Sequence, residues 1–110
     1  MKIAIPLQNG KLSAHFGHCT HFGVYNVENE KVVSDEMLEP PGYEPGVLPK
    51  WLNEIGVTVV LAGGIGERAK TFFKSFGVDV VDGVPDMEPR LLVESFVTNT
   101  LPEGKNFCDH

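Results

Sequence analysis

Basic residues are scarce in this chain. Nine Lys and Arg stand against fifteen Asp and Glu in 110 residues, for a formal net charge of −6. The nine are scattered from Lys2 to Lys105 and form no stripe, which argues against nucleic acid and against an anionic membrane surface as partners. Long apolar runs are also missing, so no segment reads as membrane-spanning. The opening Met1-Lys2-Ile3-Ala4-Ile5-Pro6 has too few apolar residues for a secretory signal before Gln8-Asn9-Gly10 breaks the run, and a cytoplasmic protein is expected.

Cysteine is limited to Cys19 and Cys108. In a reducing compartment, and close to histidines, the two read as thiols or thiolate ligands and not as a disulfide. There is no Cys-x-x-Cys pair of the kind that closes a zinc site, and two thiols are too few for a permanent four-thiolate iron-sulfur centre. The first strand carries no acid, which removes the clustered carboxylates that two-metal nuclease chemistry requires. No nucleophile elbow is present either, so hydrolase chemistry has no support and a non-enzyme is expected.

What the chain does have is a concentration of histidine. Ser13-Ala14-His15-Phe16-Gly17-His18-Cys19-Thr20-His21 holds three of the four histidines and one of the two cysteines, and Cys108-Asp109-His110 holds the rest. Imidazole and thiolate suit iron, zinc and copper, so His15, His18, Cys19, Cys108 and His110 are the candidate metal ligands. His18 and Cys19 are adjacent and point apart in extended chain, so a turn at Gly17 is needed for both to face one ion. Cys19 reads equally well as a small buried thiol, and His21, at the border of a strand, as structural. The terminal pair contributes only if the tail folds back over the site.

The scaffold around these segments is regular. Residues 2–6 read as a strand ended by Pro6, and residues 22–27 and 31–38 as a hairpin joined through Glu28-Asn29-Glu30. Residues 39–46 are too rich in Pro and Gly for a regular element and form a loop or flap. Val47, Leu48, Trp51, Leu52 and Ile55 recur at helical spacing. The run 57–62 is continuous and apolar, as in a strand buried on both faces. Ile65, Ala69, Phe72, Phe73 and Phe76 form an amphipathic series ending at Gly77, with the three Phe assigned to the core. Residues 78–81 make a short strand, and a last helix is capped by Asp86, with Met87, Leu91, Leu92 and Phe96 inward.

The order β-β-β-α-β-α-β-α predicts one α/β domain over residues 1–100, followed by a tail over 101–110. Its architecture is expected to be a three-layer α/β/α sandwich with a mixed five-stranded sheet, ribonuclease H-like. Ligands in such sheets sit beyond the carboxyl ends of parallel strands. The loop after the first strand holds His15 to His21, and the loop after the fourth holds Gly63, Gly64, Ile65 and Gly66. If the two strands are parallel neighbours, both loops open on one edge. The glycines then either favour an anion, through free N–H groups at a helix N-terminus, or serve only a turn needing positive φ and close packing. Arg68, one turn on, either reaches an anionic ligand or pairs with a neighbouring carboxylate.

His15-Phe16-Gly17 after the first strand, the Phe22-Gly23-Val24-Tyr25 strand, and Ala62-Gly63-Gly64-Ile65-Gly66-Glu67-Arg68-Ala69 together resemble the dinitrogenase iron-molybdenum cofactor biosynthesis family, over residues 2–96. The resemblance implies a small domain that binds, carries or stores an iron-sulfur or iron-molybdenum type cluster without turnover, passing it between donor and acceptor proteins. It implies His15 as a cluster ligand, whereas His18, Cys19, Cys108 and His110 rest on their chemistry. The competing reading is a module for a single Zn, Fe or Cu ion, or for a small anion, with a regulatory role. A homodimer could supply ligands from two chains.

Overall fold

The computed structural model describes residues 1–100. Cys108 and His110, and with them the reading of a tail over 101–110, lie outside the described residues. Within them one α/β domain is built on a mixed sheet. Strand β1 (Lys2–Gln8) turns through Asn9-Gly10 into the two-residue β2 (Lys11–Leu12), which pairs back on its end. Both turn residues have positive φ, 55° and 78°, as expected of an Asn-Gly hairpin. β2 is a strand the sequence reading lacks, since two residues carry no periodicity. Strands β3 (His21–Glu28) and β4 (Lys31–Leu38) form the expected hairpin, closed by Asn29 and Glu30 at φ 52° and 63°.

Helix α1 (Val47–Glu54), strand β5 (Val59–Leu61), helix α2 (Glu67–Ser75), strand β6 (Asp79–Val81) and helix α3 (Pro89–Val97) complete the chain. The sheet order is β4-β3-β1-β5-β6, with β2 off the end of β1. β3 and β4 run antiparallel to their neighbours, whereas β1, β5 and β6 are mutually parallel. The register pairs Ile3 with Val59 and Ala4 with Val60, so β1 and β5 are parallel neighbours and their following loops share an edge.

Alternation along β1 divides the core. Ile3, Ile5 and Leu7 face Leu92 and Val93 of α3, together with Tyr25, Val59 and Leu61. Ala4 faces the other way, into a cluster of Phe22, Val60, Leu48, Leu52 and Phe73 beneath α1 and α2. One helix therefore covers one face and two cover the other, and the apolar residues of each layer are removed from water.

Several expectations are corrected by geometry. Pro6 lies inside β1 and does not end it. Its carbonyl accepts from the Ser13 N–H at 2.9 Å on the edge where β5 has already stopped, so the missing proline N–H breaks no ladder bond. Asp86 does not cap α3, whose first residue is Pro89 after Glu88. That start sets the inward phase at Pro89, Leu92, Val93 and Phe96, and leaves Leu91 46% exposed. Of the three α2 phenylalanines Phe73 is fully buried, Phe72 half-buried, and Phe76, just past the helix end, 36% exposed.

Glu30 carries a β-carbon in the left-handed region, a conformation that glycine adopts without penalty. Replacing it to give the Asn-Gly hairpin, Glu30→Gly, is expected to raise stability by about 0.5–1 kcal/mol. Urea unfolding of variant and parent, with unchanged m-value, measures the gain.

Candidate functional site

The histidine-rich segment leaves the sheet edge under three backbone tethers. The Ser13 N–H donates to the Pro6 carbonyl, the Thr20 N–H to the Leu7 carbonyl at 2.8 Å, and between them the Phe16 N–H donates to the Gly64 carbonyl at 2.8 Å. Ser13 is buried, and its hydroxyl donates to the His15 carbonyl at 2.8 Å, closing the turn from inside. His15 is extended, and Phe16–His18 form a single 3-10 turn. The Phe16 ring drops into the core, edge-on to Phe22 and Phe73 with centroids 5.6 and 5.4 Å away. With that ring held, His15 and His18 are left exposed, their rings 5.4 Å apart at 65°.

Across from them runs the loop between β5 and α2. A cavity of about 320 Å³ lies between the two segments, lined by His15, Phe16, Gly17, His18, Gly64, Ile65 and Gly66. No side chain caps α2, so its first-turn N–H groups and the positive end of its dipole lie beside this cavity at Gly66. Gly64 has a negative φ but no room. A methyl there would stand 2.7 Å from the Ala14 carbonyl oxygen and 3.7 Å from His15 Nδ1. Gly63 is in ordinary contact with Ser13, and Gly66 has nothing within 4 Å. None of Gly63, Gly64 and Gly66 has positive φ, so of the two structural needs named for them only close approach holds, and it holds at Gly64.

The expected ligands divide. His15 and His18 are brought together and face the cavity. Cys19 is not: only 2% exposed, it packs among Phe16, Phe22 and Leu48. The 3-10 turn through Gly17 sends His18 outward and Cys19 into the core, so the two do not face one ion. Burial in this apolar cluster pushes the Cys19 thiol up from 9.0 to about 11, which leaves roughly one thiolate in ten thousand at neutral pH. Among the described residues no three His, Cys, Asp or Glu come together as a metal-holding group. Arg68 is exposed on the first turn of α2 and lines a different cavity, described below. His21 opens β3, with Nδ1 at 3.1 Å from the Thr20 hydroxyl and Nε2 3.8 Å from Glu39.

A family model described as dinitrogenase iron-molybdenum cofactor matches residues 1–99. The chain belongs to this family. An uncharacterised protein of Methanocaldococcus jannaschii, MJ0580, is 34% identical over 85 residues, which is 73% of this chain and 72% of the relative. The crystal structure of PH0822 superposes with a TM-score of 0.88 at 32% identity, covering all of both chains. That of MJ0327, a candidate dinitrogenase of Methanocaldococcus jannaschii, has a TM-score of 0.74 at 18% identity over 96% of this chain and 95% of its own, which is likeness of fold. Membership ties the chain to iron-molybdenum cofactor biosynthesis, and the structure puts His15-Phe16-Gly17 and Gly64-Ile65-Gly66 on the walls of one cavity. Among the described residues no helix is long and apolar enough to cross a membrane.

Two residues escape the sequence reading. Tyr43, in the Pro- and Gly-rich loop, donates its hydroxyl to the Cys19 carbonyl at 2.7 Å and straps that loop to the histidine segment. Ser13 is a buried hydroxyl inside a loop. The serine preceding the histidines was a visible signal, whereas nothing in the composition of residues 39–46 gives Tyr43 a partner.

Two outcomes follow from these distances. Gly64→Ala drives a β-carbon into backbone and is expected to cost about 2 kcal/mol and to break the Phe16 to Gly64 bond, whereas Gly66→Ala costs under about 1 kcal/mol. Thermal unfolding, and hydrogen exchange at the Phe16 amide, separate the two. For Cys19 the folded state keeps a proton that the unfolded state releases above pH 9. The stability from burying the neutral thiol is therefore complete below pH 9 and is lost as pH rises toward 11. Wild type should lose up to about 2–3 kcal/mol over that window relative to Cys19→Ala, measured by urea unfolding at each pH.

Proposed function

We propose that this protein holds an anionic iron-sulfur or iron-molybdenum type cluster as cargo, taking it from a donor protein and yielding it to an acceptor, with no turnover of its own. The observation that supports this reading most is the Phe16 to Gly64 hydrogen bond, which sets two imidazoles opposite an uncapped helix N-terminus across one cavity. Imidazole binds iron, and the positive helix end with its free N–H groups favours an anion.

The donor set fits a loosely held cargo better than a resident cofactor. Two exposed imidazoles, with no thiolate beside them among the described residues, leave most of a cluster's coordination to other groups. Weak, open ligation allows release, which a carrier requires. In the same reading the protein works in the cytoplasm on a path related to nitrogen fixation, its long strands follow a ribonuclease H-like order, and a second copy of the chain can supply further ligands.

Metal-free protein mixed anaerobically with iron and sulfide, or with an isolated iron-molybdenum cluster, is expected to gain visible absorbance in stoichiometric amount. His15→Ala and His18→Ala should each weaken uptake at least about tenfold, and Cys19→Ala should leave it within about twofold. Equal uptake by wild type and His15→Ala overturns the assigned loop. Uptake of one equivalent of zinc with no cluster bound under any condition favours the single-ion module instead.

A further inference from the structure

A second cavity, of about 280 Å³, adjoins the first and shares Phe16, Gly17 and Gly66 with it. Its remaining wall is largely apolar and is made by Tyr43, Pro45, Leu48, Pro49, Ala69 and Phe72. The loop over it is shaped, not merely irregular. Gly46 turns at φ +85°, with its missing β-carbon 3.3 Å from the Phe72 ring, the Val47 N–H closes onto the Glu44 carbonyl at 3.0 Å, and Tyr43 is strapped to the Cys19 carbonyl. A side chain at position 46 would be strained and would crowd Phe72, so glycine keeps the loop against this wall.

One cation borders the cavity. Arg68 is exposed and, among the described residues, makes no ion pair and no side-chain hydrogen bond. Lys70, on the same helix, is by contrast committed, 3.0 Å from Glu67 and 2.7 Å from Asp82. A free guanidinium beside an apolar cleft recognises a carboxylate in two-pronged fashion, while the cleft takes an apolar body.

We propose that this cavity is a second binding site, for a small organic carboxylate whose aromatic or branched apolar body lies against Phe72 and Leu48 and whose charge pairs with Arg68. The cavity's size suits a molecule with one ring. Glu44 also lines it and divides the sources of such a carboxylate. A plain acid gains nothing from Glu44, whereas an amino acid gains an ammonium partner.

The test uses metal-free full-length protein, so its outcome is independent of cluster binding. Phenylacetate, neutral phenylacetamide and phenylalanine are titrated into isotope-labelled protein, with amide shifts followed by NMR. Phenylacetate is expected to bind, moving amides of the non-proline residues of 43–49 and of 66–72, and Arg68→Gln should weaken it at least about tenfold while leaving phenylacetamide unchanged. If phenylalanine binds more tightly than phenylacetate and Glu44→Gln removes the difference, the natural ligand class is the amino acid; if not, it is the plain acid. Equal binding of phenylacetate and phenylacetamide to wild type overturns the proposal. So does shift perturbation confined to other residues, or the absence of binding at millimolar carboxylate.

Discussion

The hydrogen bond from the Phe16 N–H to the Gly64 carbonyl joins two loops far apart in sequence, and the candidate site exists because it forms. Two things must already be true for it. β1 and β5 must be parallel neighbours, which brings the loops after them to one edge, and residue 64 must have no side chain, since a β-carbon would meet the Ala14 carbonyl at 2.7 Å. The Phe16 ring supplies the anchorage. Packed edge-on to Phe22 and Phe73, it fixes the backbone that presents His15 on one side and His18 on the other. Burial of an aromatic ring is large and nondirectional, and the single hydrogen bond gives it direction. A binding loop held this way is positioned by the core and not by its own composition.

Charge poses the second constraint. A chain of net charge −6 is a poor host for an anion at long range, so any attraction must be local. The uncapped start of α2 supplies it without a formal charge, through N–H groups that fold and sheet position already fix. Arg68, which makes no ion pair among the described residues, lines the neighbouring cavity, and the two imidazoles are the only candidate ligands for a metal that the described residues bring together there. A helix N-terminus favours an anionic species over a bare cation at this edge.

Much of this was readable from residue pattern. The continuous apolar run marked β5, the polar Glu28-Asn29-Glu30 turn closed the β3–β4 hairpin as expected, and the parallel strand rule placed His15 opposite Gly64. What pattern could not supply was direction. Cys19 stands one residue from His18 and chemically belongs with it, but the 3-10 turn rotates it into the core, where an apolar cluster keeps it protonated. Helical spacing placed Phe73, Phe72 and Phe76 on one face, yet the helix ends before Phe76, which is left partly exposed. Met87, Leu92 and Phe96 face inward as the spacing implied, but with the helix starting at Pro89 it is Val93 and not Leu91 that joins them. In each case the missing term is the phase of a turn, which tertiary packing sets and local sequence does not.

The two cavities meet at Phe16, Gly17 and Gly66, and Cys19 connects their outer walls through its backbone. Its thiol is held in the core while its carbonyl accepts the Tyr43 hydroxyl, so the loop over the second cavity is tied to the segment that presents His15 and His18. Position 19 is therefore a tether between the two loops, made by its backbone carbonyl. Because that bond is made by the backbone, any small apolar side chain that fills the same core position would leave the two sides of the site in register.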